Sequence, residues 1–200
     1  MKISVILAHP DTGSFNHAVA VTAVKTLQKN GHDVIFHDLC KEKFPPVIPA
    51  SEIPRDVVLP RLIGKHCAEI AQADGIVIIH PNWWGQPPAI LKGWIDRILR
   101  PGVAYTFAEG DSGDGKLIGL LKANVVLVFN TSNTPADREL TIYGDPLENL
   151  WKNNMLISCG VKNFYRKNFG VIITSSPEQR TQWLQEAAAI TDKHLPPTTK

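Results

Sequence analysis

Hydrophobic positions along this chain fall into short blocks whose period switches between strand-like and helix-like. Residues 3–8 are apolar and partly β-branched, and after a polar turn residues 15–29 carry Ala18, Val21, Val24 and Leu27 at helical spacing, which predicts strand, loop and helix. Asn30-Gly31 ends that helix as a glycine cap does, and Asp33-Val34-Ile35-Phe36 predicts a second strand. Between residues 40 and 60, Pro45, Pro46, Pro49, Pro54 and Pro60 remove backbone donors, so a long surface loop is expected. A helix over 61–73 then turns at Asp74-Gly75 into Ile76-Val77-Ile78-Ile79, apolar on both faces as a central parallel strand is.

A loop over 80–88 precedes a helix over 89–99, with Ile90, Leu91, Trp94, Ile95 and Ile98 on one stripe. The glycines Gly102, Gly110, Gly113, Gly115 and Gly119 mark 103–122 as an insertion that forms a small hairpin. A strand over 124–131, a loop over 132–144, a helix over 146–158 begun by Pro146, a strand within 164–174 and a helix over 178–194 complete the chain. Strands alternating with helices, without repeats or linkers, predict one α/β domain over 1–200 whose open, doubly wound, five-stranded parallel sheet carries helices on both faces.

Composition narrows the partners. At 200 residues and 44% hydrophobic, the chain is long enough for one sizeable core. Lys+Arg 21 against Asp+Glu 19 leaves a charge of +2, short of the basic excess that nucleic-acid binding uses. No apolar run approaches the ~18 residues of a membrane helix, so a chain that does not span a membrane is expected. Met1 leads straight into a strand with no secretory h-region, and a cytoplasmic location is expected. Cys40, Cys67 and Cys159 lie far apart, which points to neither a disulfide framework nor a zinc cluster. Fifteen prolines and five tryptophans, two of them adjacent, are the oddity of composition.

In a doubly wound sheet, ligands sit outside the carboxyl ends of the strands, so the loops there hold the candidate chemistry. The first, His9-Pro10-Asp11-Thr12-Gly13-Ser14-Phe15-Asn16, is neither GxGxxG nor a P-loop. Its Thr12 and Ser14 hydroxyls and the amides of the following helix start can hold a phosphate without basic side chains, although Ser14 is equally a helix cap. The second, His80 to Pro88, presents Trp83 and Trp84 between prolines, and two adjacent indoles on such a loop cannot both enter one core. The third, Asn130-Thr131-Ser132-Asn133-Thr134, offers hydroxyls and amides to the edge of a heterocycle, although on its own it is equally a turn. A phosphate cradle, an aromatic wall and a polar rim together fit a phosphorylated planar heterocycle such as a flavin.

The same residues carry a resemblance. The first loop resembles the AHP…SFN segment of the NAD(P)H:quinone oxidoreductase family, the flavodoxin-like group that includes drug-activity modulators and potassium-efflux ancillary proteins. Residues 81–97, PNWWGQPPAILKGWIDR, are similar to that family's P-x-x-W…P-A-x-L-K-x-W-x-D-R signature, and Gly144-Asp145 and Cys159-Gly160 match in order. The resemblance implies a flavodoxin-like fold and a flavin-dependent NAD(P)H oxidoreductase, with hydride passing from NADH or NADPH through the flavin to a quinone or similar acceptor. It implies that His9, Ser14, Phe15 and Asn16 hold the phosphate and ribityl chain, and that Pro81, Asn82, Trp83, Trp84 and Gly85 line the isoalloxazine. Asn130, Thr131, Ser132 and Asn133 stand where the family has Thr-Thr-Gly-Gly, two of the glycines being replaced. Tyr143 stands where quinone reductases carry a histidine, and is the candidate catalytic donor to the flavin's pyrimidine end. A homodimer is implied, with Tyr105, Phe107 and the segment 44–49 as contributors to the acceptor pocket. No adenine site is evident, which favours FMN over FAD.

Among other tempting residues, the histidine pairs His32/His37 and His9/His80 lack metal-ligand spacing, and no metal is expected. Trp94 is expected in the core, while Lys92, Asp96 and Arg97 are expected on a solvated face or an interface, and Arg138 is a candidate for a nicotinamide nucleotide's phosphate. The competing reading is a regulatory flavoprotein that binds a transporter or other partner with little turnover. A one-electron carrier is disfavoured by the near-neutral charge.

Overall fold

The computed structural model describes residues 1–108 and 117–197. In chain order the elements are β1 (Lys2–Leu7), α1 (Phe15–Lys29), β2 (Asp33–Asp38), a 3-10 turn (Ala50–Glu52), α2 (Arg61–Gln72), β3 (Gly75–Pro81) and α3 (Ala89–Ile98). There follow β4 (Tyr105–Phe107), β5 (Leu117–Gly119), β6 (Val125–Ser132), α4 (Ala136–Thr141), α5 (Pro146–Glu148) running into a π-helical stretch (Asn149–Leu156), β7 (Asn163–Gly170) and α6 (Pro177–His194). The expected hairpin is present as the antiparallel pair β4–β5, while Gly110, Gly113 and Gly115 lie outside the described residues.

The five main strands are all parallel, in the order β2-β1-β3-β6-β7. The chain steps outward from β1 to β2 and then returns to place β3 on the other side of β1, so strand order reverses between β1 and β3 and a crevice opens at their carboxyl ends. Alternation along each strand feeds two layers. Ile3, Val5 and Leu7 of β1, Val77 and Ile79 of β3 and Leu127 and Phe129 of β6 pack under α1 and α6. Ile6, Ile76, Ile78, Val126 and Val128 face the other way, against Ile63 and Ile70 of α2, Leu91 and Trp94 of α3 and Trp151 of the π-helical stretch. Because both faces are covered, the central strands are apolar throughout, which is why their sequence shows runs and not alternation. Among the described residues, no helix is long and apolar enough to cross a membrane.

Three expectations need correction. The segment between β2 and α2 is not simply surface loop. Phe44 and Glu52 are buried, and the segment lies on α3 at Gly93, where an added Cβ would collide with the Pro46 backbone. That cover explains the second departure, Arg97, which is buried and not solvated: its guanidinium pairs with Glu52 and donates to the Pro45 carbonyl. A charge placed on α3 is tolerable there because the proline-rich segment brings a carboxylate with it. The third is α4, within what is expected as an irregular loop; its polar ADRELT sequence has no apolar stripe, and its start signals are Pro135 directly ahead of it and the acidic Asp137 and Glu139 in its first turn. Lys92 and Asp96 form the exposed i,i+4 pair expected of them, and Trp94 is buried.

Histidines fill gaps under the sheet. Trp94 Nε1 donates to His66 Nδ1 at 3.0 Å, and the His66 ring lies 3.9 Å from that of His37, whose two nitrogens each stand 2.9 Å from a carboxylate, Glu42 and Glu69. His37, Glu42 and His66 place potential ligand atoms within 4.8 Å of one another. With the Trp94 indole on Nδ1, a neutral His66 ring carries its own proton on Nε2, which has no hydrogen-bond partner and stands 3.5 Å from Glu42 Oε2. Burial, then the neighbouring His37 and Lys65, lowers the His66 pKa to about 4. His80 is likewise lowered to about 4, by burial first, against its hydrogen bond to the Pro81 carbonyl.

Both shifts act in one direction. The unfolded chain takes up these protons near 6.5 and the folded one only near 4, so the associated stability is complete above pH 6.5 and is lost as pH falls toward 4. The Tm measured by scanning calorimetry is therefore expected to fall on acidification through this window, with a shallower slope in His66→Gln and His80→Gln. Unchanged slopes in both variants would contradict the assignment.

Candidate functional site

At the carboxyl ends of β1, β3 and β6 the loops enclose a cavity of about 730 Å³. After β1, the chain turns on itself before α1. Asp11 Oδ1 accepts from the Gly13 amide at 2.8 Å, and the Ser14 hydroxyl accepts from the His17 amide at 3.3 Å as the helix cap. His9, Phe15 and Asn16 line the cavity; Thr12 and Ser14 stand beside it on the same turn without lining it. Phe15 is held from behind by the rings of Phe169 and Trp183, at 5.9 and 5.8 Å. Asn16 is buried, donates from Nδ2 to Thr131 Oγ1 at 2.9 Å, and leaves its buried Oδ1 without a hydrogen-bond partner. A buried acceptor lacking a donor costs stability unless something entering the cavity supplies one.

After β3, Pro81, Asn82, Trp83, Trp84 and Gly85 all line the cavity. Trp83 and Gln86 exchange backbone hydrogen bonds of 3.0 and 3.1 Å, closing a two-residue hairpin whose central residues, Trp84 and Gly85, both have positive φ, 58° and 73°. This is the mirror-image turn of β-hairpins, suited to asparagine and glycine and strained for tryptophan. An added Cβ at Gly85 would also press on Pro146 at 3.1 Å. Neither indole enters a core: Trp84 is fully exposed and Trp83 is 46% exposed, tilted against the His9 ring at 6.2 Å. Beneath this loop lies His80, which accepts from Trp151 Nε1 at 3.1 Å.

After β6, Thr131, Ser132 and Asn133 line the cavity, joined by Thr134. Asn130 does not; it is buried below, with Nδ2 donating to Asn168 Oδ1 at 2.8 Å and Oδ1 accepting from Arg166 at 3.0 Å. Sequence reasoning missed Glu139, Pro146 and Ile172 as lining residues. Pro146 follows directly on the Gly144-Asp145 pair, and that proximity is a usable signal. Glu139 has none, because it sits within the helix that the sequence pattern does not reveal. Its Oε1 accepts from Asn82 Nδ2 at 2.7 Å and from the Ser132 hydroxyl at 3.0 Å.

Tyr143 lines the cavity with about half its surface exposed. It precedes Gly144 and Asp145, both at positive φ, and Asp145 is fixed there by Arg166, which also donates to Glu148 at 3.0 Å. Arg138 is exposed on α4 and does not line the cavity. Tyr105 lines a separate pocket of about 170 Å³ with Leu117 and Met155; Phe107 and Phe44 line neither, Phe44 being part of the core. These candidates for an acceptor pocket are therefore apart from the cavity within one copy of the chain.

Arg166 joins three parts of the site, and replacing it removes the cation from Asp145 and the donor from Asn130, while Glu148 keeps Lys152. Arg166→Met is expected to cost about 3 kcal/mol in chemical denaturation. Arg166→Lys is expected to restore less than half, since an ammonium cannot reproduce the fork; full rescue by lysine would show that only the charge matters.

Against known proteins, the Flavodoxin-like fold family matches residues 1–195. An uncharacterized NAD(P)H oxidoreductase of Haemophilus influenzae is 32% identical over 199 residues, covering 98% of this chain and 96% of its own. NAD(P)H dehydrogenase [quinone] 1 of Rattus norvegicus is 32% identical over 205 residues, 90% of this chain and 73% of its own. Among solved structures, Smu.1420 from Streptococcus mutans superposes with a TM-score of 0.82 at 30% identity, covering 96% of this chain and all of that one.

Proposed function

We propose, on the premise that this chain belongs to the Flavodoxin-like fold family, that it is a flavin-dependent oxidoreductase carrying hydride from NADH or NADPH to a quinone or similar acceptor, with FMN in the cavity. The oxidoreductase assignment, of the NAD(P)H dehydrogenase (quinone) type, is supported by what its relatives in Haemophilus influenzae and Rattus norvegicus are named for. The observation that carries the flavin is Asn16. A polyhydroxyl chain passing over it brings the hydroxyl donor that the buried, unpartnered Oδ1 lacks.

The rest of the lining fits the same group. The turn before α1, with Thr12 and Ser14 beside His9, would take the phosphate on amides and hydroxyls. The Gly13 amide is donated to Asp11 Oδ1 in the structure, so it would reach a phosphate only by exchanging that partner. Trp83 and Trp84, with Pro81, Asn82 and Gly85, would flank the planar ring system, and Thr131, Ser132 and Asn133 would meet its polar edge while Asn130 supports them from below. Bound there, a flavin supplies the two-electron hydride exchange that no side chain can. Tyr143 would donate from its hydroxyl where negative charge grows during reduction. A phenol gives that donor without the cationic form a histidine has, so this position adds little pH dependence. FMN is preferred to FAD because the sequence offers no evident adenine site. A single domain and a cytoplasmic homodimer complete the proposal.

The purified protein is expected to be yellow and to bleach anaerobically with NADH or NADPH, with colour returning on addition of a quinone. Tyr143→Phe is expected to slow the bleaching about tenfold, the low end of what one donor to a developing anion contributes. A chain that takes up no added flavin would refute the proposal. A yellow chain that neither nucleotide bleaches would leave the regulatory flavoprotein in its place.

A further inference from the structure

Glu139 is buried in the wall of the cavity, yet it belongs to no motif and the proposed chemistry does not need it. We infer that its carboxylate both locks the two loops that shape the cavity and makes the site select against anionic acceptors, favouring uncharged quinones over sulfonated or carboxylated ones. This rests on the acceptor chemistry proposed above.

The locking follows from the hydrogen bonds. Oε1 takes the Asn82 amide at 2.7 Å and the Ser132 hydroxyl at 3.0 Å, joining the loop after β3 to the loop after β6. With its Nδ2 so held, Asn82 turns Oδ1 toward the Gly85 amide at 2.9 Å, inside the turn that carries both tryptophans. Ser132 in turn accepts from the Thr134 amide at 3.0 Å. Glu139 is thus a positioning residue, acting on the aromatic wall through Asn82.

The selectivity follows from charge. Among the described residues no lysine or arginine lines the cavity, and Glu139 is the one carboxylate that does. Its two bonding partners are neutral dipoles, which stabilise the charge without cancelling it. The guanidinium of Arg166, which does not line the cavity, is occupied by Asp145 and Glu148. An anion in the cavity therefore meets an uncompensated negative charge at short range, carried by a side chain that is itself buried. At the effective dielectric of such a site this corresponds to about a tenfold discrimination. The cofactor's phosphate is spared, because the turn after β1 lies two strands from β6, about 10 Å at the usual interstrand spacing.

The test compares menadione with naphthoquinone sulfonate. Their Kd values for the oxidised, flavin-loaded protein are read from perturbation of the flavin absorbance, and kcat/KM for each from turnover. Glu139→Gln keeps an acceptor oxygen for Asn82 and Ser132 and removes the charge. The ratio of sulfonate to menadione Kd is expected to fall about tenfold in this variant, with the tryptophan emission maximum unmoved. Glu139→Ala is expected to lower the ratio similarly and to shift the tryptophan emission as well, since the turn loses its anchor. In the wild type, the ratio is expected to narrow as sodium chloride is raised, a reading independent of how the variants fold. A ratio that is equal in all three proteins and insensitive to salt would overturn the inference. If the chain takes up no flavin, the functional proposal fails by itself, and the same two probes are titrated against the apoprotein by tryptophan quenching, where an equal ratio again overturns it.

Discussion

The shape of the cavity depends on the side chain of Asn82. Its backbone amide donates to the Thr131 carbonyl at 2.7 Å, its Nδ2 to Glu139 at 2.7 Å, and its Oδ1 accepts from Gly85 at 2.9 Å. One residue at the end of β3 therefore ties its own loop to the end of β6 and to the helix after it. Without these bonds, the turn through Trp84 and Gly85 would have little reason to keep a tryptophan at positive φ, a conformation that costs of order 1 kcal/mol or more. The strain buys placement: an indole at the tip of a tight hairpin stands clear of the protein and faces the cavity, where a more relaxed loop would fold it onto the nearest helix.

Below that layer the sheet supplies a rigid floor. His80, at the end of β3, is buried, bonded to the Pro81 carbonyl and to the Trp151 indole, and so uncharged. Arg166 on the edge strand β7 reaches back to Asn130, Asp145 and Glu148, joining β6 to the turn that presents Tyr143. The cavity therefore has a polar second layer in which donors and acceptors are matched, and a first layer in which Asn16 Oδ1 is left unmatched. That contrast between a satisfied support and one unsatisfied lining atom is what distinguishes a binding site from a packing defect.

The alternation of strands and helices was legible from periodicity alone, and α1 runs over the residues its apolar spacing predicts. The aromatic wall was legible too, since two adjacent tryptophans between prolines leave the chain little choice but exposure. Asn130 was placed in the site because it stands in line with Thr131 and Ser132, but side chains alternate along a strand, and Asn130 points away from its neighbours into the Arg166 network. Arg97 was assigned to solvent because nothing near it in sequence pairs with it; its partner, Glu52, is 45 residues away in a segment whose prolines mask the fact that it folds back on α3. Glu139 was invisible for a related reason. A short helix with no apolar stripe is stabilised by its tertiary contacts, and those are not written in local pattern.

The proposed site needs a cofactor phosphate to be held by amides and hydroxyls at the start of α1, beside His9 and with no lysine or arginine among the described residues lining the cavity. The most direct measurement is calorimetric titration of the apoprotein with FMN and with riboflavin at low and high sodium chloride. FMN is expected to bind at least a hundredfold more tightly than riboflavin, as a charge-assisted cradle of several bonds provides, and salt is expected to change this advantage by less than about threefold. Equal affinity for the two, or an FMN advantage that collapses in salt as a lysine or arginine clamp would, contradicts it.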